Sequence, residues 1–237
     1  MRDVVTEFYI SVLERLIAEG AISISHSVLV VCGGSLDESV MRHAGFDDFT
    51  ITNLADEIAY RRQDAENLTY DDGSFDIVVV HAGLHHCHSP HRALLEMYRV
   101  ARKCVVAFEA RDSLMMRTAV RLGLTMDYEV DSISDDGKGG VANSGIPNFI
   151  YRWTERDVRN TIASYDPTRI HNVKFFYDLR IPIQRISRQG STVMLLAGLI
   201  VEPLSKIFAR IAPKQCNEFA FAISKNSAYQ PWIKAPE

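Results

Sequence analysis

The sequence predicts an α/β protein built as a doubly wound, largely parallel sheet with helices on both faces. Two observations predict it. Ser27 to Asp37 reads as a buried apolar strand, Val28 to Val31, that runs into Gly33 and Gly34 and then into a helix-like segment, Glu38 to Ala44. A parallel strand ending in a glycine turn before a helix makes a ligand crevice, because the backbone is approachable there and the helix N-terminus offers unpaired N–H groups. Strand and helix patterns then alternate to about residue 110, which calls for right-handed βαβ units with both sheet faces covered.

The bounds agree with one domain over residues 1–237. The hydrophobic fraction of 47% and charged fraction of 24% are those of an ordinary globular protein with a sizeable core. A net charge of -4 argues against nucleic acid or an anionic membrane surface as partner. Cys32, Cys87, Cys104 and Cys216 show no C-x-x-C spacing, which favours reduced thiols over a disulfide framework or a structural zinc site. The charged start, Met1 to Glu7, has no signal-peptide core, and the most apolar run, Val193 to Val201, is too short to span a bilayer. The expectation is a soluble, cytoplasmic protein.

Taken in order, Val5, Phe8, Val12 and Leu16 share one face of a helix over residues 2–19, closed by Gly20. After the first strand and its helix, Phe49 to Thr52 forms a second strand ending at Asn53, and Tyr60 to Gln63 a third. Asp71 to Ser74 is a turn by composition. Phe75 to Val80 is the clearest strand, ending in His81. Ser89-Pro90 opens a helix as N-cap and first residue, with Leu94, Tyr98 and Ala101 inward and Arg99, Arg102 and Lys103 at its C-terminal dipole. Cys104 to Phe108 is the next strand, ending at Glu109. A helix and a polar Gly-rich loop, Asp131 to Pro147, follow. Thr154 to Asp157 reads as a capping box, with Val158, Ile162 and Tyr165 inward. Phe175 to Leu179 and Cys216 to Ser224 read as strands, with a helix over Thr192 to Ile211 between them, bent near Pro203.

The order of the first strand, Asp64-Ala65-Glu66 and the segment Phe75 to His86 resembles the class I S-adenosylmethionine-dependent methyltransferases, in particular the small-molecule branch called methyltransferase type 11. The resemblance is best over residues 27–110 and most specific from Asp64 to Lys103, DAENLTYDDGSFDIVVVHAGLHHCHSPHRALLEMYRVARK. It implies a Rossmann-like sheet of seven strands whose last strand is antiparallel, and methyl transfer from S-adenosylmethionine to oxygen or nitrogen of a small-molecule acceptor. It also implies that Cys32, Gly33 and Gly34 line the methionine end of the cofactor, that Asp64 accepts the adenine amino group beside Ala65, and that His81 lies under the methionine moiety. Residues 27–110 would be the cofactor-binding half, and residues 111–215 the acceptor side and lid. The chain departs from the family pattern at Val30, where an acidic residue is usual, at Leu36, where a third glycine is usual, and at Asn53, where an acid usually meets the ribose; Asp56 is a nearby substitute.

His81, His85, His86, His88, His91 and Cys87 invite a metal, but no helical His-x-x-x-His stands with a carboxylate partner, and the reading assigns none. His85 and His86 sit where a neutral imidazole could take the acceptor's proton; shaping the pocket is the alternative. Glu109 and Arg111 end a strand at the ligand-binding edge, where either could orient an acceptor or pair with the other. Asp131, Asp135 and Asp136 read as a solvated loop, and Tyr128, Tyr151 and Trp153 as lid or core aromatics. Met194 to Ile200 reads as a core helix or the face of a homodimer. Two other classes stand beside methyl transfer: a non-catalytic cofactor-binding or partner-binding protein on the same fold, and an NAD-type oxidoreductase, against which the incomplete glycine fingerprint counts.

Overall fold

A computed structural model of the chain describes residues 4–55, 59–180, 203–225 and 228–233. The apolar β-branched runs form one seven-stranded sheet of order β3-β2-β1-β4-β5-β7-β6. The strands are β1 (Val28–Val31), β2 (Phe49–Asn53), β3 (Arg61–Arg62), β4 (Phe75–His81), β5 (Ala101–Ala110), β6 (Asn172–Asp178) and β7 (Glu218–Ser224). The first five pair parallel with one another, whereas β7 pairs antiparallel with both β5 and β6. The chain builds outward from β1 to β3 and then returns to add β4 on the other side of β1. That reversal is the topological switch point where open α/β sheets bind ligands.

Alternation along each strand divides the core into two layers. Leu29, Val31, Val78, Val80, Val105 and Ala107 face one side, beneath Leu94 and Met97 of α3 (Pro90–Val100) and Val158 and Ile162 of α5 (Glu155–Tyr165). Val28, Val30, Ile77, Val79 and Val106 face the other, beneath Val12, Leu13 and Leu16 of α1 (Val4–Ala18) and Val40 and Met41 of α2 (Ser35–His43). Strands covered on both faces need apolar residues at every position, which is why β1 reads as an unbroken apolar run.

Several boundaries differ from the sequence reading. The α3 helix stops at Val100, and Ala101, Arg102 and Lys103 already belong to β5. Arg102 and Lys103 therefore serve no helix dipole; both reach Asp76 at the start of β4, at 2.7 and 3.1 Å. Ser89 caps α3 as expected, accepting from the Arg92 N–H. Thr154 likewise caps α5 in a reciprocal box with Asp157, but Tyr165 is 47% exposed, not inward. The loop helix is α4 (Leu114–Arg121), none of whose residues is buried. Residues 203–211 are helical; the rest of the expected Thr192 to Ile211 helix, Met194 to Ile200 included, lies outside the described residues, as does Asp56. Among the described residues no helix is long and apolar enough to cross a membrane.

Candidate active site

At the carboxyl edge of the sheet, β1 and β4 turn away from each other through residues in the left-handed region, Cys32 at φ 53° and Ala82 at φ 49°. Such backbone costs about 1 kcal/mol or more per non-glycine residue and concentrates at functional sites. The glycine that follows each is required by contact. A Cβ on Gly33 would lie 2.8 Å from Val30 Cγ1, and one on Gly83 only 2.5 Å from Cys32 Cβ. The two loops thus touch at the floor of a crevice, whereas Gly34 has open space where its side chain would be.

Above that floor is a cavity of about 340 Å³, within the range of small-molecule sites. Its walls are Cys32 after β1, Asn53 after β2, Asp64 and Ala65 after β3, and Gly83, His86 and Cys87 after β4; Gly139 to Asn143 close it from the loop side. The sequence-predicted residues Cys32, Asn53, Asp64, Ala65 and His86 are thereby brought to one cavity. Gly33 and Gly34 form the adjacent turn into α2. His81, His85 and Glu109 are not on its lining: His81 stacks on Tyr9 of α1 at 4.9 Å, and burial, against the pull of Asp37 and Glu109, lowers its pKa.

Hydrogen bonds fix the walls. Asn53 Nδ2 donates to the Gly33 carbonyl at 3.0 Å, and its Oδ1 accepts from the Ala55 N–H at 3.1 Å. Exposed Asp64 closes an Asx turn by accepting from the Glu66 N–H at 2.8 Å. Glu66 in turn accepts from the N–H groups of His88 and Ser89, tying the Asp64–Glu66 segment to the start of α3. The Cys87 thiol donates to the Gly83 carbonyl at 3.7 Å, and the neighbouring Cys32 thiol and then burial raise its pKa.

Beside the cavity lies a polar cluster. Glu109, near the end of β5 and 2% exposed, accepts through Oε1 from the Gly83 and Leu84 N–H groups at 3.0 and 2.8 Å, and through Oε2 from His85 Nδ1 at 2.8 Å. Arg111 is not its partner. That guanidinium donates through Nη2 to both Glu155 carboxylate oxygens, at 2.9 and 2.8 Å, over the rings of Tyr177 and Phe219. His85 Nε2 and His86 Nε2 both face Oε2 of Glu129, at 3.5 and 3.6 Å. Buried Asn148 donates to the same oxygen at 3.1 Å. Burial disfavours a charged His85, but the Glu109 carboxylate and then Glu129 outweigh it and raise its pKa to about 10. The nearby His85 imidazole, against burial, holds Glu129 down at about 2. Burial, and then the neighbouring His85, lower His86.

Glu129, Asn148 and Gly83 belong to this site and were not singled out from the sequence. Gly83 had a signal, a glycine directly after a strand end. Glu129 and Asn148 had none, because the loop that carries them has no periodicity. Of the other residues weighed, Trp153 is fully buried, Tyr151 meets His91 at 3.2 Å, Tyr128 is 56% exposed, and Asp131, Asp135 and Asp136 are exposed.

Residues 26–106 match the model of a family described as a methyltransferase domain. A search of curated proteins finds no sequence match. Among solved structures, the chain is similar to the YcgJ protein of Bacillus subtilis at 12% identity and TM-score 0.55, covering 92% of this chain and 100% of that one. It is similar to the magnesium protoporphyrin IX methyltransferase of Synechocystis PCC 6803 with bound S-adenosylhomocysteine, at 13% identity and TM-score 0.51, covering 93% and 83%. It is also similar to a SAM-dependent methyltransferase of Archaeoglobus fulgidus, at 11% identity and TM-score 0.51, covering 92% and 96%. At these identities the structures share the fold.

Proposed function

We propose that this chain, whose residues 26–106 match a methyltransferase domain, is a class I S-adenosylmethionine-dependent methyltransferase that methylates a small molecule at oxygen or nitrogen. The observation that carries the reading is the chemistry of the crevice at the β1/β4 switch point. Asp64 and Glu66 line it, and among its described lining residues there is no arginine or lysine. That acidic lining suits a nucleoside bearing a cationic sulfonium, and at the start of α2, where a dinucleotide would seat its pyrophosphate, the Asp37 carboxylate already accepts from the Gly34 N–H at 2.9 Å.

S-adenosylmethionine supplies an electrophilic methyl group when bound. Asp64, Ala65 and Asn53 would hold its nucleoside end, and Cys32, Gly33 and Gly34 its amino-acid end, with His81 supporting that end from the α1 side. Residues 111–215 would form the acceptor side. There Gly139 to Asn143 cover the cavity, which favours a small acceptor over a polymer, in keeping with the net charge of -4. Holding acceptor and donor in line lowers the barrier without further chemistry. The cluster of His85, His86 and Glu109 is where the acceptor's nucleophilic atom and its proton would be handled, since His86 borders the cavity.

Calorimetric titration with S-adenosylmethionine, S-adenosylhomocysteine and NAD tests this. The two sulfur nucleotides should bind and NAD should not. Asp64→Ala should weaken S-adenosylhomocysteine at least tenfold; unchanged affinity would remove Asp64 from the site. Radiolabelled methyl should pass from the cofactor to the small-molecule fraction of a cell extract. Label found only in protein or nucleic acid would refute the acceptor class.

A further inference from the structure

We propose that His85, His86 and Glu129 form a three-ligand site for a divalent metal of the zinc class at the acceptor end of the cavity. One ring nitrogen from each of His85 and His86 and a Glu129 oxygen lie within 4.8 Å of one another. The separations of 3.5 and 3.6 Å between each imidazole and Glu129 Oε2 are long for hydrogen bonds. They are close to the edge of a tetrahedron, about 3.3–3.4 Å, set by metal bonds of about 2.0–2.1 Å. The His86 ring lies against that of His85, with centroids 4.6 Å apart, and is 32% exposed, so the remaining edge joins two imidazoles already side by side.

The support behind the ligands is what distinguishes the cluster from a chance meeting of polar groups. Metal-binding histidines present one nitrogen to the ion and donate the other to a carboxylate. His85 does this: Nδ1 is engaged by Glu109, a carboxylate itself pinned by the Gly83 and Leu84 N–H groups, so Nε2 points to Glu129. Glu129 is backed in turn by Asn148, which is 1% exposed. Glu109 and Asn148 are thus positioning residues. Two imidazoles and one carboxylate suit zinc better than magnesium or calcium, which prefer all-oxygen sites. Three protein ligands leave a position open, the arrangement of catalytic rather than structural zinc. Because His86 borders the cavity, that position faces the acceptor side, where a Lewis acid would hold an acceptor oxygen or nitrogen. The catalytic sense of the site rests on the methyl-transfer reading above; the site itself rests on the geometry.

The test is titration of the untagged, chelator-treated full chain with Co²⁺, read by its visible d–d absorption, with Zn²⁺ as competitor. S-adenosylhomocysteine calorimetry is run on every sample. One Co²⁺ per chain should bind in a low-symmetry site and be displaced by Zn²⁺. Glu129→Gln, a near-isosteric change on the loop, should weaken Co²⁺ at least 100-fold, and His86→Ala likewise. Glu109→Gln should cost about 10- to 100-fold, as for other outer-shell carboxylates. His43→Ala, at an exposed histidine on α2, should change nothing. Absence of Co²⁺ binding in protein that still takes S-adenosylhomocysteine overturns the metal site and leaves the methyl-transfer reading standing. Co²⁺ binding that survives both Glu129→Gln and His86→Ala also overturns it. Metal loaded as described in protein that takes no S-adenosylhomocysteine supports the site and brings down the methyl-transfer reading.

Discussion

Asn53 shows how a cavity-wall side chain also fixes the turn beneath it. It stands where the family resemblance implies an acid, and its amide both donates to the Gly33 carbonyl and accepts from the Ala55 N–H. A carboxylate could keep only the second bond and would set a lone pair against the Gly33 oxygen. Asn53→Asp should therefore cost about 1–3 kcal/mol in urea unfolding, the price of an unsatisfied carbonyl and a desolvated charge. It should also weaken S-adenosylhomocysteine by loosening the glycine turn. Unchanged stability would mean that the Gly33 bond contributes nothing. Gly83→Ala should destabilise by about 1–3 kcal/mol through overpacking, because the new methyl meets Cys32 Cβ at 2.5 Å; an unaltered denaturation midpoint would contradict that contact. Cys32, Asn53, Asp64, Ala65 and His86, each at or just past the end of a strand recognisable in the sequence, line one cavity. Glu129 was not legible in this way, because its meaning depends on a loop crossing the sheet edge to reach two histidines more than forty residues earlier in the chain.

Elements were legible where local chemistry and tertiary packing agree. The Thr154–Asp157 box is such a case: Thr154 Oγ1 accepts from the Asp157 N–H at 3.1 Å, and Asp157 Oδ2 accepts from the Thr154 N–H at 3.0 Å. Removing the hydroxyl orphans one helix donor, so Thr154→Ala should lower stability by about 1 kcal/mol. The same change should loosen the Arg111–Glu155 pair, since Glu155 is the first residue of α5. Equal midpoints for wild type and variant in urea would show that this cap is redundant. The α3/β5 junction was misjudged for a related reason. Ala101 continues the apolar helical spacing of Leu94 and Tyr98, but the sheet claims it, because Ala101 pairs with Phe75 and the register then shifts to place Cys104 beside Ile77. Strand pairing between distant segments overrides local periodicity, and periodicity alone could not reveal it.

At the scale of the whole molecule, the sheet separates chemistry from stability by placing them at opposite ends. The carboxyl edge carries the strained turns and the cavity. The amino edge carries Asp76, which joins three adjacent strands: its Oδ1 accepts from Arg102 and Lys103 of β5, and its Oδ2 from the Ser27 N–H just before β1. The strand order was readable from the sequence through the family resemblance, but this anchoring was not, since Arg102 and Lys103 read as helix-dipole partners. Burial pushes the Asp76 carboxyl up, but Arg102 and then Lys103 overcome it and hold it near about 2, below its ordinary 3.8. Since the folded value is the lower one, the stabilisation is fully present above pH 3.8 and is lost as pH falls through about 2. A shift of this size corresponds to about 2 kcal/mol, trimmed to about 1–2 kcal/mol because Arg102 is 57% exposed and solvent screens it. Asp76→Asn should therefore lower Tm at pH 7 by about 3–5 °C. The variant should also lose less stability than wild type between pH 4 and 2, so that the two Tm curves converge in acid. Binding of S-adenosylhomocysteine at pH 7 should stay as it was, because the cavity lies at the other edge. Curves that run parallel from pH 7 to 2 would show that the Asp76 network carries no proton-linked stability, and a parallel loss of nucleotide binding would show that the two edges are coupled after all.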